Sequence, residues 1–388
     1  MHATPTFEFA TSDHILFGAG VSQTLGARLT GLGHTPLLVT GRTLHRAQPV
    51  ITHLQAAGQT WRQYPVIGEP TLETVREGVA LARDHNCDYV IAVGGGSVLD
   101  AGKAIAALLT NPGDPLDYLE IIGRGRQISR PAAPFVAIPT TAGTGSEVTR
   151  NAVLFSPEHR LKVSLRSPHM LPTLAVVDPE LTLSLPPALT ATTGLDALTQ
   201  LIEPFVSNRA NPLTDALCRE GIRRAARSLR VAAAQPHDLA ARTDMALASL
   251  FGGLALANAK LGAVHGFAGP FGGMFQAPHG GICAALLPHV VAVNVRALRT
   301  RSPGHPILAR YDELGCLLTN DAAAGADDAV VWLQQLCADL QIPGLAVYGL
   351  AEKHFHELID KARRSSSMQG NPISLTDEEL RDILRMAL

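Results

Sequence analysis

Three things are scarce in this sequence, and each scarcity excludes a class of protein. Cysteine is the first. Five occur in 388 residues: Cys87, Cys218, Cys283, Cys316 and Cys337. They are scattered, odd in number and form no CxxC pair, which argues against a disulfide framework or a structural zinc knuckle and for a reducing compartment. Charge is the second. Charged residues make up 17% and leave a formal net charge of -2, with both signs interspersed, so no electrostatic footprint for nucleic acid or an anionic membrane is visible. Long apolar runs are the third. No stretch of about 18 uninterrupted apolar residues occurs, so no membrane span is expected. The opening MHATPTFEFATSDHILFG also lacks the basic segment and apolar run of a signal peptide. The expectation is a cytoplasmic protein acting on a small molecule or a locally held nucleotide.

Hydrophobic residues reach 46%, enough for two sizeable cores at this length. In the first half, short apolar runs alternate with helical patterns. PLLVT (36–40), DYVIAVGGGS (88–97), FVAIPTT (135–141) and LAVVDP (174–179) read as buried strands. VITHLQAAG (50–58) and TLETVREGVALARDHN (71–86) have helical spacing. That order predicts a parallel sheet covered on both faces. After about residue 182 the β-branched runs almost vanish and long Ala- and Leu-rich helical stretches follow. Thr376 with Glu379 three residues later forms a capping box that starts a terminal helix. The reading is an α/β domain over residues 1–182 and an all-α domain over 183–388.

Two loops carry the chemistry of the first half. VIAVGGGSVLDAGKAIA (90–106) passes from a strand through Gly94, Gly95 and Gly96 into a helix. Glycines there admit unusual backbone conformations and let N–H groups approach a phosphate, aided by the helix dipole. AIPTTAGTGSEVT (137–149) also follows a strand, and its Thr140, Thr141, Thr144 and Ser146 offer hydroxyls to a ribose or phosphate. Loops after two strands of one parallel sheet line the same edge, where open α/β sheets bind ligands. In the second half, Asp196 and Gln200 in GLDALTQLIEP are four apart and share a helix face. His265 and His279 sit in glycine-rich surroundings, VHGFAGPFGG and APHGG, which suggest a backbone shaped around a site.

Together, GGGSVLDAGKAIA, PTTAGTGSEVT, GLDALTQLIEPFVS, LGAVHGFAGPFGGMFQAPHGGICAALLPHV and GNPISLT resemble the iron-dependent, group III alcohol dehydrogenases, whose fold is shared with dehydroquinate synthase. The likeness runs over essentially the whole chain. It implies an N-terminal dinucleotide-binding domain, a helical metal and substrate domain, and NAD(P)-dependent interconversion of an alcohol and a carbonyl. By that likeness Gly95, Gly96, Ser97 and Asp100 match the pyrophosphate loop, and Thr140, Thr141 and Thr144 the second cofactor loop. Lys162 falls where family members place a lysine near the nicotinamide ribose. The divalent-metal ligands, Fe²⁺ or Zn²⁺, match Asp196, Gln200, His265 and His279. A homodimer is implied as well.

Two positions, Gln200 and Gly269, depart from the family pattern, and a third, Gly41, bears on the choice of nicotinamide. Gly41 stands where NAD-preferring relatives often carry aspartate; with Arg42 beside it, NADP should be tolerated as well as NAD. Gln200 replaces a histidine, and a neutral amide oxygen is a poorer donor than imidazole, so a weakly held metal is expected. Gly269 replaces a proton-relaying histidine, for which His289 is a candidate substitute. A metal-independent reductase resembling maleylacetate reductase, a dehydroquinate synthase-like lyase and a non-catalytic nucleotide-binding protein are the alternatives. Phe267, Phe271 and Phe275 suggest an apolar pocket lining.

Overall fold

The computed structural model describes residues 6–388; the first five residues of the expected N-terminal domain lie outside the described ones. The described residues divide into two compact units, one spanning Thr11–Ser184 and the other comprising residues 6–10 and Leu185–Leu388. The expected boundary of 182 therefore moves by two residues. Residues 6–10 leave the α/β unit, because the Ala10 N–H donates to Asn258 Oδ1 at 2.7 Å and Asn258 Nδ2 donates back to Ala10 O at 3.0 Å.

The Thr11–Ser184 unit runs β1 (His14–Phe17), α1 (Gly26–Thr30), β2 (Pro36–Thr40), α2 (Gln48–Ala56), β3 (Arg62–Pro65), α3 (Leu72–Asp84), β4 (Tyr89–Gly94), α4 (Gly96–Thr110), α5 (Pro115–Tyr118), β5 (Phe135–Pro139), β6 (Asn151–Ser156), β7 (Leu161–Arg166) and β8 (Leu174–Val177). Six strands form one sheet in the order β1-β8-β5-β4-β2-β3, and every pairing is parallel. Successive residues of β4 serve opposite faces, as the two-residue period of a strand requires. Val90 and Ala92 pack with Val75, Leu99 and Ile105 of α3 and α4. Ile91 and Val93 pack with Leu25 and Leu54 on the other side. Residues buried on both faces explain why this strand reads as an unbroken apolar run. The edge strands are partly exposed; β1 has only the three apolar residues Ile15, Leu16 and Phe17, and β3 has no apolar run. The β6–β7 antiparallel hairpin, outside the main sheet, shows alternating burial on β6; the sequence pattern singled out none of these four strands.

The second unit is helical: α6 (Pro187–Phe205), α7 (Pro212–Ala234), α8 (Leu239–Ala259), α9 (Ala263–Phe275), α10 (His279–Arg301), α11 (Ile307–Thr319), α12 (Ala326–Asp339), α13 (Phe355–Arg364) and α14 (Asp377–Met386). The capping box of α14 is formed: Thr376 Oγ1 accepts from the Glu379 N–H, and the Glu379 carboxylate from the Thr376 N–H. Helices α8 and α10 are long and apolar enough to cross a membrane by length and composition. Their most apolar windows are 67% and 83% buried inside the protein, as core helices are. Phe267 and Phe271 are wholly buried and belong to that core; Phe275 stacks at 4.7 Å on Phe271 and at 5.1 Å on His354.

Inside the α/β unit, burial pushes the Glu147 carboxyl up to about 7. The unfolded chain releases that proton near its ordinary value of 4.5. The contribution of Glu147 to stability is therefore fully present below about pH 4.5 and falls as the pH rises through 7. Glu147→Gln removes the titration. Relative to the parent, the variant should gain on the order of 3 kcal/mol between pH 4.5 and pH 8. Chemical denaturation at both pH values measures this; a difference between the proteins that does not change with pH would refute it.

Candidate metal centre and nucleotide-binding edge

In the α/β unit the chain leaves β2 for β3 on one side and β4 for β5 on the other. The order reverses between the neighbours β2 and β4, and the crevice beyond their carboxyl ends is where doubly wound sheets hold ligands. Gly41 follows β2, Gly95–Ser97 follow β4, and Thr140–Thr144 follow β5. The last two loops touch. The Thr140 N–H donates to Gly94 O at 2.9 Å, and a Cβ on Gly96 would come within 2.7 Å of Thr144 Cγ2. That close approach is what requires glycine at 96. None of Gly94, Gly95 or Gly96 has a left-handed φ, so the expected conformational reason for the triplet does not apply. Gly95 caps α4 without a side chain; the Val98 N–H donates to Gly95 O at 3.0 Å, and those of Gly96 and Ser97 face the end of the helix, where an anion is favoured. Gly41 also lacks a left-handed φ, and a Cβ there would meet only Val98 Cγ2 at 3.9 Å. The site tolerates a side chain. Arg42 beside it is exposed.

Asp100 and Lys162 are both engaged with partners inside the protein. Both carboxylate oxygens of Asp100 are already engaged, accepting from Ser146 Oγ at 2.6 Å and from the Val153 N–H at 2.9 Å. Asp100 thus ties α4 to the second loop and to β6. One turn on, the buried Lys103 Nζ donates to Ser146 O, Ser146 Oγ, Thr149 Oγ1 and Asn151 O at 2.7–3.1 Å. Burial lowers its pKa to about 8 against the pull of Asp100 and Glu147. Nothing in the sequence pattern singles out Lys103. Lys162, on β7, is buried and pairs with Glu69 at 2.9 Å. Among the described residues no hydrogen bond joins it to either glycine loop.

In the helical unit four donor-bearing side chains converge: Asp196 of α6, His265 of α9, and His279 and Cys283 of α10, with ligand atoms all within 4.8 Å of one another. Gly280 brings α10 in, since a Cβ there would lie 2.6 Å from Thr192 O of α6. His265 Nε2 and His279 Nε2 lie 3.4 and 3.6 Å from Asp196 Oδ1. Burial alone would raise the Asp196 carboxyl, but the His279 and His265 imidazoles outweigh it and hold it at about 2. Gln200, one turn from Asp196, is equally buried. Asp196 Oδ1 and Gln200 Oε1 are both buried without a hydrogen-bond partner. An unpartnered buried carboxylate oxygen is costly, and a divalent cation satisfies it; this donor set fits one. Cys283, one of the scattered cysteines to which the sequence pattern gives no role, is a member of the cluster. Its spacing four residues after His279 was the available signal.

A further residue, Glu203, orients the cluster. It lies seven after Asp196 on α6, on the same face. Its Oε2 pairs with His265 Nδ1 at 2.7 Å and its Oε1 accepts from the Val264 N–H at 2.7 Å. Asn371, from GNPISLT, accepts from the Ala263 N–H at 3.1 Å and exchanges hydrogen bonds with Asn294. Glu203 and Asn371 together satisfy the first turn of α9 and turn His265 Nε2 inward. His289 is not near this cluster. Ten residues along α10 from His279 place it about 15 Å away, and its Nδ1 is buried and unpaired. Gly269 has no replacement there. Carboxylate partners of ligating histidines typically govern metal affinity 10–100-fold. Glu203→Gln should accordingly weaken zinc binding by about 10–100-fold while the protein stays folded. A chelator-competition titration with circular dichroism reads both, and unchanged affinity would make Glu203 only a helix cap.

Comparison with known proteins agrees with both units. The family described as iron-containing alcohol dehydrogenase matches residues 12–179, and the C-terminal part of the Fe-containing alcohol dehydrogenase family matches residues 190–388. The chain is 37% identical to 1,3-propanediol dehydrogenase of Citrobacter freundii, covering 98% of each. It is 34% identical to NAD-dependent methanol dehydrogenase of Bacillus methanolicus, over 96% of this chain and 97% of that one. A crystal structure of 1,3-propanediol oxidoreductase superposes with a TM-score of 0.90 at 35% identity, covering 99% of this chain and 100% of the other. This chain belongs to the iron-containing alcohol dehydrogenase family, and is an oxidoreductase that interconverts alcohol and aldehyde.

Proposed function

We propose that the chain uses a divalent metal held by Asp196, His265 and His279, oxidises small alcohols and reduces the matching aldehydes, and accepts NADP as well as NAD. The observation that carries the metal reading is the unpartnered Asp196 Oδ1 between two imidazole nitrogens. It also weighs against the metal-independent reductase, in which that oxygen would stay unsatisfied. When bound, the metal supplies a Lewis acid for the substrate oxygen, and the nicotinamide accepts or donates the hydride. Glu203 keeps His265 in the orientation that presents Nε2. Gly95, Gly96 and Ser97, with the uncapped start of α4, receive the pyrophosphate; Thr140, Thr141 and Thr144 flank it, and Asp100 and Lys103 hold that second loop in place. Lys162 belongs to the cofactor reading through the family likeness alone, which also suggests a cytoplasmic homodimer. With Gly269 unable to carry a proton, water on the side where His279 is 34% exposed takes that part.

The relatives include an enzyme named as NAD-dependent; the NADP proposal rests on Gly41 and Arg42, with no carboxylate to repel a 2′-phosphate. A screen of short alcohols and aldehydes with both nicotinamides, run on chelated protein with and without added Fe²⁺ or Zn²⁺, tests the function. Turnover should return only with metal. Full activity in chelator, retained by His279→Ala, would favour the metal-independent reading. Gly41→Asp should lower kcat/KM with NADPH by about tenfold or more, through like-charge repulsion, and leave NADH use much less affected. Equal losses with both cofactors would remove Gly41 from the ribose site.

A further inference from the structure

The donor set of the metal centre raises a question about its fourth member. Gln200 offers a neutral amide oxygen, a weak ligand for Fe²⁺ or Zn²⁺. Cys283 offers sulfur. Resting on the metal-dependent reading above, we propose that Cys283 Sγ, and not Gln200, completes the site, giving an Asp–His–His–Cys centre that selects a borderline or soft divalent cation such as Zn²⁺ over Mg²⁺ or Mn²⁺.

The distances carry the argument. Zinc bonds of about 2.0–2.1 Å to nitrogen or oxygen and about 2.3 Å to sulfur, arranged tetrahedrally, put neighbouring donors about 3.4 Å apart for N···O and about 3.6 Å for N···S. The structure has Asp196 Oδ1 at 3.4 Å from His265 Nε2 and 3.6 Å from His279 Nε2. It has Cys283 Sγ at 3.6 Å from His279 Nε2 and 3.8 Å from His265 Nε2. Four edges of a tetrahedron are thus present among four side chains from three helices. A thiol has one proton and cannot donate to both imidazoles, whereas one cation satisfies sulfur, both nitrogens and the unpartnered Asp196 Oδ1 together. Cys283 is wholly buried, so its sulfur is held among these groups and shielded from solvent. Gln200 Oε1 is also buried and unpartnered, but a neutral amide oxygen is the weaker donor to such a cation than a thiolate sulfur. Thiolate is also what distinguishes the metals. Soft sulfur favours zinc over magnesium and manganese, which prefer oxygen. Four protein donors do not close the site to an alcohol oxygen, because zinc can expand to five ligands.

The test titrates Co²⁺ into metal-free full-length protein and follows the near-ultraviolet thiolate-to-cobalt charge-transfer band, with equilibrium dialysis for stoichiometry. The parent and Gln200→Ala should both develop the band at one equivalent. Cys283→Ser should lack it and bind cobalt at least about tenfold more weakly, the low end of what ligand-shell changes cause. X-ray absorption on the zinc-loaded parent needs no variant and should find one sulfur at about 2.3 Å. Cobalt or zinc bound at one equivalent with only nitrogen and oxygen neighbours would overturn the assignment and leave the metal-dependent function standing. Loss of binding in Gln200→Ala with retention in Cys283→Ser would overturn it too. Absence of any stoichiometric binding by the parent would defeat this assignment together with the metal-dependent reading.

Discussion

The donor cluster of the helical unit is organised around the buried carboxylate of Asp196. Removing a carboxylate from water costs several kcal/mol unless partners repay it. Among the described residues Asp196 has no lysine or arginine beside it; it faces His265 and His279. Its partners come from α9 and α10, so three helices meet at it. That meeting makes each supporting contact consequential. Gly280 admits the start of α10 to the backbone of α6, and Glu203 and Asn371 close the first turn of α9 so that His265 is aimed rather than merely present.

The same logic of fixed supports applies to the edge proposed to hold the nucleotide. Its loops are anchored from below by two charged residues of α4. Asp100 and Lys103 engage Ser146, Thr149, Asn151 and Val153, both side chains and backbone. A phosphate-binding loop gains affinity when its N–H groups are already placed, because less ordering entropy is lost on binding. Buried polar groups that look like ligand contacts in a motif can therefore serve the ligand indirectly, by holding the backbone that meets it.

In the proposed metal centre, an amide at position 200 leaves the other donors in place. The remaining donors are shared between helices, so no single helix carries the whole set. One imidazole comes from α9, one imidazole and one thiol from α10, and one carboxylate from α6. A centre built this way tolerates exchange of one ligand type for another, provided that a second side chain already reaches the same space.

Much of this was determined by the sequence alone. Strands buried on both faces, such as Val90–Val93, must be continuous apolar runs, and they were legible as such. Loops following those strands had to lie on one edge of a parallel sheet. Thr376 and Glu379 act within one turn, so their capping box needed no tertiary information. Asp196 and Gln200 share a helix face by the 3.6-residue period alone. Other features were decided only by tertiary structure. Edge strands β1 and β3 are partly exposed and short, and only three apolar residues, Ile15, Leu16 and Phe17, mark the first of them. The partners of Asp100, Ser146 and Val153, lie 46 and 53 residues away, and Lys162 gave no sign that Glu69 would meet it. Glu203 and Cys283 could be placed on the faces of α6 and α10 by spacing. A helical period says which side chains point together, however, and not what they will meet. His265 lies 62 residues from Glu203 and 18 from Cys283. Only the packing of helices against one another brings donors so far apart in the chain within reach of one cation.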